Sequence, residues 1–523
     1  MSPPPLPVVW HTYHPDHVGR CCWDQTIVEQ LLEPFNPVTV EQIPTTGGAV
    51  IVVPGRDNKG TEPRLTADIA HLDWVVLIVT GDEEGLFHPA EVTHPRIRRW
   101  VQTPHTVGDG DMLLPLGPTP HTSDPSIVEA PAKNVDVFFA GQVTHQRRHD
   151  MVAAFTGFPG AELVATAGFS QGLDRGEYMA WMRAAKVVPC PSGPCHVESF
   201  RIYEALESGA VPLVDSRTPD GAPGVGPAYD WVVGEWEHAP TMARLVLDTW
   251  PVSANRTQAH YQAAKMRLRA GMAAQLNTLR GSDDATPPVT VLIPTSPILA
   301  HPDPAMTVEA VTSVRDQLPG VPIVLMFDGV RPEQENRREA YEEYQRRVLW
   351  HTNRIGGVTP LRFDEYTHQA GMTRRALEEV TSPLVLYVEH DTFLDGVIPW
   401  DALGGCITDG AFDVIRLHHE SEILEPHRHL MLDDTPTSAG VPVLRTRQWS
   451  QRPHLASAAY YRRLLTLWFR PGQRTMIEDV MHGVCQSEPW TENRVGIYAP
   501  PGDMKRSWHL DGRASEPKYG MDR

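Results

Sequence analysis

The segment ESFRIYEALESGAVPLVDS, Glu198 to Ser216, sets Ser199, Phe200 and Arg201 at the opening of a helix pattern, with Glu204 one turn later. A spacing of three puts Arg201 and Glu204 on neighbouring positions of one helical face. An arginine beside free backbone N–H groups suits a diphosphate, and a carboxylate one turn on suits the two hydroxyls of a ribose. The plain alternative is an ion pair on a solvated helix. A second constellation closes the run PLVLYVEHDTFLDG, where Glu389, His390 and Asp391 follow an apolar strand pattern. Two acids separated by one residue can both turn into the crevice at a strand end. There they offer carboxylate oxygens to a hard divalent cation while leaving positions open for phosphate. Here the alternative is a polar turn.

Both constellations depend on parallel sheets to position them. Short β-branched runs alternate with helical periodicity at Ala49, Trp74, Val135, Glu162, Lys186 and Val211, the pattern of sheets covered by helices on both faces. The Pro-rich stretch from Pro115 to Pro131 divides them into two groups, which predicts two Rossmann-like subdomains of about 1–130 and 131–280. A linker follows at 281–288 (GSDDATPP), after a long polar helix pattern from Thr257 to Leu279. From Val289 the alternation restarts with VTVLI, a helix near Thr307 to Gln317, PIVLMF ending at Asp328, and PLVLYV, so 289–523 is expected to be a further α/β domain. Ligands in such sheets bind at the carboxyl ends of the strands.

Composition narrows the function classes. The chain has 523 residues and a formal charge of −19, and near 150 residues per domain that length predicts two to four domains. Acidic residues outnumber basic ones on both sides of residue 280, which disfavours a nucleic-acid module. The longest apolar runs fall far short of the roughly 20 residues of a membrane helix, and no secretory signal is visible. Cys21, Cys22, Cys190, Cys195, Cys406 and Cys485 are too scattered for a disulfide framework and form no CxxC pair. A cytoplasmic protein without membrane contact is expected.

Taken with its surroundings, the stretch from Tyr178 to Val214 resembles the exostosin family of glycosyltransferases, and so does VFFAGQVTHQRR, Val137 to Arg148. The resemblance implies a metal-independent GT-B fold with Ser199, Phe200, Arg201 and Arg147 or Arg148 near the donor phosphates and Glu204 near the ribose. It leaves the catalytic base unassigned among His11, Asp16, His17, Asp73 and His105.

Downstream, VTVLIPTSP, VLMFDG, HQAGMTRRALEEVTSP and TMIEDVMHG together resemble the GT-A glycosyltransferases. That likeness implies donor contacts from Thr295, Asp328 and Glu389, and Mn²⁺ or Mg²⁺ held by Asp391, Glu389 and His509. It makes Asp479 the base on the acceptor hydroxyl, with Glu478 beside it. The Arg374-Arg375 pair reads as a solvated helix face. An exostosin-like half followed by a GT-A half is also the order in the animal exostosins.

The expectation is therefore a bifunctional glycosyltransferase using nucleotide-sugar donors, UDP-sugars foremost, on a glycan or protein acceptor. Three alternatives stand beside it. One is that only one half is active and the other has become a sugar- or acceptor-binding module. Another is glycosylation of modified nucleic-acid bases, which the charge disfavours. A sugar nucleotidyltransferase is the third, and it would need a Gly-rich, Arg-bearing loop that TSPILAHPDP lacks.

Overall fold

The computed structural model describes residues 5–13, 28–119, 122, 124, 126–168, 171–221, 230–281, 288–433, 435, 437–438 and 441–510. Cys21, Cys22, Asp16, His17 and most of the expected linker lie outside these residues. The chain divides into two compact units, Met1–Ala285 and Thr286–Arg523. It is a mixed α/β protein with Rossmann-like parallel sheets.

In the first unit β1 (Leu6–Trp10), β2 (Pro37–Val40), β3 (Ala49–Pro54), β4 (Val75–Thr80), β5 (Ile97–Val101) and β6 (Met112–Leu113) form a sheet in the order β2-β1-β3-β4-β5-β6. Its paired strands all run parallel. AVIVVP and VVLIVT are buried at every position, as continuous apolar runs must be when helices cover both faces. A second parallel sheet contains β7 (Val135–Gln142), β8 (Ala161–Thr166), β9 (Ala185–Cys190), β10 (Val211–Asp215) and β11 (Val232–Val233), ordered β11-β10-β9-β7-β8. β8 is an edge strand and correspondingly half-exposed.

The helix Val252–Arg280 joins the two sheets. Its start packs with the second core through Ala254, and Gln258 donates to the carbonyl of Leu206. Its end carries Met272, Leu276 and Leu279 into the first core beside Leu6, Val8 and Val50. A single cut near residue 130 therefore does not separate the subdomains, because the last helix returns to the first.

The second unit is built on one nine-stranded sheet. β12 (Val289–Thr295), β13 (Ile323–Phe327), β14 (Val358–Arg362) and β15 (Leu384–Tyr387) pair in parallel, in the order β14-β13-β12-β15. β16 (Thr392–Leu394) leaves this sheet. β17 (Val414–Arg416), β18 (Thr437–Ser438), β19 (Pro442–Arg445), β20 (His454–Ser457) and β21 (Val495–Tyr498) extend it in the order β15-β20-β17-β21-β19-β18. β20 runs antiparallel to both β15 and β17, so β17 points the same way as β15. β16 pairs with β22 (Ser507–His509), placing Thr392 opposite His509.

Every residue of VTVLIPT in β12 is buried, and fully burying each aliphatic side chain contributes about 1.5–3 kcal/mol. The result is a rigid floor whose carboxyl edge presents Thr295, Asp328 and the Glu389-His390-Asp391 turn.

Candidate functional site

In the first unit Ser199 is the N-cap residue of the helix Phe200–Glu207, but its hydroxyl makes no capping bond and lies buried without a partner. Arg201 lies across the Phe139 ring at 4.4 Å and donates through Nη2 to the carbonyl of Ala140 at 2.8 Å, while its Nε has no acceptor. Next to it, Arg148 donates to the Gln142 carbonyl at 2.9 Å. Burial and the neighbouring Arg201 charge push Arg148 down to about 10, and Glu83 opposes the shift.

The two arginines proposed from the VTHQRR segment are thus separated by their surroundings. Arg147 forms a buried bidentate pair with Asp215, adds Glu235 at 3.1 Å and the Gly234 carbonyl at 2.9 Å, and has its donors committed. Arg148 is the one that shares its environment with Arg201. Glu204, 7% exposed, accepts from Thr119 Oγ1 at 3.0 Å and from the Tyr178 hydroxyl at 2.6 Å, so both of its oxygens already hold protein donors.

Beyond β4 and β5, Gly81, Asp82, Glu83, Gln102 and Thr103 face Leu116, His196 and Phe200 across a cleft of about 30 Å³. Of the candidate bases, His105 is near this cleft: it contacts the Cys195 carbonyl at 3.1 Å, and it lowers His196, which burial takes to about 4. His11 packs edge-on against Tyr13 and is lowered by burial; Asp73 is exposed and donates its N–H to Gly47. Sequence reading missed Glu83. It lies at the cleft rim, and loss of hydration raises its pKa, against the opposing charge of Arg56. Its only signal was an acidic turn after a strand.

In the second unit Thr295 ends β12 with its hydroxyl turned inward, 2.9 Å from the Tyr344 hydroxyl, which also bonds Thr307 at 2.7 Å. The His301 ring stacks on Tyr344 at 3.8 Å; burial pushes the Tyr344 hydroxyl up to about 12, and the Asp391 charge adds a smaller push in the same direction. Burial lowers His301 to about 3, and the nearby His390 adds to the lowering. None of the Tyr344–His301 stack was legible, because its members come from separate helices and loops.

Asp328 is buried after β13 and accepts from the backbone N–H groups of Gly329, Thr367 and His368. Burial raises its pKa, and these three hydrogen bonds hold it back. It therefore caps the helix His368–Ala376, whose own N-cap residue Thr367 makes no side-chain capping bond and instead donates its hydroxyl to the Glu365 carbonyl. Arg374 on that helix donates to the carbonyls of Leu465 and Phe469, so it anchors a neighbouring helix end rather than facing solvent; Arg375 pairs with Glu378 and Glu379.

Asp479 is exposed in the first turn of the helix Ile477–Ser487, and its charge raises the pKa of His368 against the larger lowering by burial. Glu478 accepts from the Gln451 N–H at 3.1 Å. Asp328, His368 and Asp479 thus share one side of the carboxyl edge.

On the other side Asp391, 4% exposed, lies 4.0 Å from His509 Nδ1, held there because the carbonyl of Asp391 accepts from the Leu510 N–H at 2.7 Å. His419 packs its ring 4.3 Å from that of His509. Ser507 donates its hydroxyl hydrogen to the His418 carbonyl, which leaves Oγ to accept from His419 Nδ1 at 2.6 Å. A neutral His419 then carries its lone pair on Nε2, and that atom is buried without a partner, as is Nδ1 of His509.

Among the described residues no group of three or more His, Cys, Asp or Glu side chains is arranged to hold a metal ion. The structure brings Asp391 and His509 together and does not bring Glu389 in as a third donor; Glu389 is half-buried in the turn after β15. An oxygen donor from Asp391 and an imidazole donor from His509, with the unpartnered Nε2 of His419 nearby, would fit Mn²⁺ or Mg²⁺ as an open site.

No helix among the described residues is long and apolar enough to cross a membrane. Cys190, Cys195, Cys406 and Cys485 are free thiols. No protein-family model and no curated protein matches the chain. Solved structures similar to part of it include S. aureus TarS at 14% identity, covering 42% of this chain and 36% of that one with a TM-score of 0.27. S. aureus TarS 1-349 in complex with UDP-GlcNAc is similar at 12% identity, with 43% and 61% covered and a TM-score of 0.27. GalNAc-T7 with UDP, GalNAc and Mn²⁺ is similar at 11% identity, with 46% and 47% covered and a TM-score of 0.29. The matched part thus spans between about a third and three fifths of those proteins.

Proposed function

We propose that the chain is a glycosyltransferase with a divalent-metal-dependent nucleotide-sugar site in the second unit and a metal-independent one in the first. The observation that carries this reading is the carboxyl edge of β12, β13 and β15, where Asp391 and His509 lie 4.0 Å apart and Asp479 stands near His368 and Asp328. Donor contacts are assigned to Thr295, Asp328 and Glu389. With the hydroxyl of Thr295 and the carboxylate of Asp328 already bonded, these two shape the pocket wall by their backbone and packing.

In the transfer, the bond between the anomeric carbon and the diphosphate oxygen breaks and a bond to the acceptor oxygen forms. The acceptor proton passes to the Asp479 carboxylate. A divalent cation held by Asp391 and His509 would neutralise the charge that builds on the departing diphosphate. Glu478 is anchored on Gln451 and fixes the first turn from which Asp479 projects.

For the first unit the proposed donor contacts are Arg148 and Arg201 on the diphosphate, the Ser199–Phe200 helix start beside them, and Glu204 near the ribose. A second reading has a specific basis there. Glu204 and Arg147 are already satisfied by protein partners, which suits a half that recognises a sugar or an acceptor without turning over a donor. UDP-sugars are the proposed donors and a glycan or protein the proposed acceptor, in a protein working without membrane contact.

The test is nucleotide release from UDP-, GDP- and TDP-sugars with Mn²⁺ or EDTA, for wild type, Arg201→Ala and Asp391→Ala. Metal-dependent release lost in Asp391→Ala, together with metal-independent release lost in Arg201→Ala, is expected. Release by neither half would reject the enzyme.

A further inference from the structure

Several buried or half-buried arginines of the second unit answer a carboxylate: Arg362 pairs with Glu342, Arg494 with Asp413 and Arg445 with Asp433. Arg416 does not. It is 2% exposed, at the carboxyl end of β17, and donates only Nη2, to Gln448 Oε1 at 3.0 Å, while Nε and Nη1 have no acceptor among the described residues. Its nearest charged neighbours are Arg452, which repels it, and Glu478, which attracts it without reaching ion-pair distance.

Arg452 is itself half-buried and spends Nη1 on His418 Nδ1 at 2.9 Å. His427 feels both guanidinium charges and contacts Gln448 at 3.4 Å. In a chain of charge −19, two adjacent guanidinium groups, attracted by Glu420 and Glu478 but ion-paired with neither among the described residues, leave Arg416 with two buried donors short of an acceptor. A buried cation left unpaired is costly, and a forked donor is built for an oxyanion.

We infer that Arg416 and Arg452 form the recognition site for an oxyanion, a phosphate or carboxylate carried by the acceptor. The inference rests on the transferase reading. Arg416 and Arg452 come from β17 and the approach to β20, while Thr295 and Asp328 belong to β12 and β13 on the other flank of β15. Glu478, the acid whose field reaches both arginines, is next in sequence to Asp479. An anionic group held there brings a hydroxyl of the same molecule toward the proposed base, and leaves the diphosphate of the donor to Asp391 and His509. The chemistry selects acidic acceptors over neutral ones.

The test uses the full chain and two probes at constant ionic strength with Mg²⁺: inorganic phosphate and UDP, titrated separately and together by calorimetry. Wild type is expected to bind phosphate saturably, with UDP present or absent. Arg452→Gln is expected to weaken phosphate at least about tenfold, the scale of lost charge-assisted hydrogen bonds, and to leave UDP unchanged within about twofold. Because Arg416→Gln alters a buried position, Arg452→Gln carries the decision. Phosphate binding that does not saturate, or that is equal in Arg452→Gln and wild type, overturns the inference. So does competition between UDP and phosphate accompanied by weaker UDP binding in the variant, which would assign the pair to the donor diphosphate. Saturable, Arg452-dependent phosphate binding in a chain that neither binds nor cleaves any nucleotide sugar would reject the transferase reading and uphold the anion site.

Discussion

Asp328 and His368 stand 40 residues apart in sequence, yet the carboxylate of Asp328 accepts the His368 backbone N–H at 3.2 and 3.0 Å. One acidic side chain at the end of β13 therefore supplies the cap that the helix His368–Ala376 lacks. It also ties the end of β13 to the helix that faces Asp479.

Removing this cap should cost stability before it costs chemistry. Asp328→Ala is expected to destabilise the chain by about 1–2 kcal/mol, and Asp328→Asn by less, because an amide oxygen still accepts from two of the three N–H groups. Denaturant unfolding of the two variants checks this. Equal stability of wild type and Asp328→Ala would contradict the capping role.

Arg147 should behave as a structural residue and Arg201 as a ligand-binding one. Arg147→Ala strands Asp215 in the interior and is expected to lower stability by about 3–5 kcal/mol, the usual cost of breaking a buried pair. Arg201→Ala removes a guanidinium whose Nε has no protein acceptor, and is expected to cost about 1 kcal/mol while abolishing donor binding by the first unit. Thermal unfolding alongside nucleotide binding separates the two.

Gly141 offers an independent handle on the same arginine. Its φ is +156°, and a Cβ there lies 2.5 Å from Arg201 Nη2 and 3.8 Å from the Phe139 ring. Gly141→Ala is expected to push the guanidinium off the Ala140 carbonyl and to weaken metal-independent donor binding about as much as Arg201→Ala does. A titration of donor nucleotide against both variants in EDTA is the check.

The sheets were legible because strands buried on both faces have to be continuous apolar runs: AVIVV, WVVLIV, VPLV, VTVLI and PLVLYV all became strands. The short strands β17, β19, β20 and β21 were not. At three or four residues, with His, Arg and Pro among them, they carry too little period for recognition and form through pairing with neighbours already in place. The same limit applies to the site. Arg201, Asp391 and Asp479 lie at ends of readable elements, whereas the inward turn of Thr295, the commitment of Arg147 to Asp215, and the gathering of His419, Arg416 and Arg452 depend on residues remote in sequence. Glu389 and Asp391 are two apart, yet it is the pairing of β16 with β22 that decides which of them meets His509.

Acid should unfold the second unit from an unusually high pH. Burial holds His301 and His418 down to about 3 and His454 to about 4, and His454 is locked neutral between the Arg452 carbonyl and the Tyr461 hydroxyl. Each folded value lies below the unfolded value near 6.5, so the unfolded chain binds more protons between them. Stability is then full above about pH 6.5 and falls as pH drops toward the folded values, by up to about 1.4 kcal/mol per pH unit for each histidine. Melting temperatures between pH 7.5 and 5 should decline steeply in wild type and less steeply in His454→Gln. Parallel profiles would contradict the prediction.

The most direct test of the central claim is a titration of free Mn²⁺ by electron paramagnetic resonance, with and without UDP, in wild type and Asp391→Asn. If Asp391 and His509 hold a cation shared with a donor diphosphate, wild type should take up Mn²⁺ with an affinity that UDP raises at least about tenfold, and Asp391→Asn should lose that gain. Mn²⁺ uptake that ignores UDP, or that is the same in Asp391→Asn, would contradict the account.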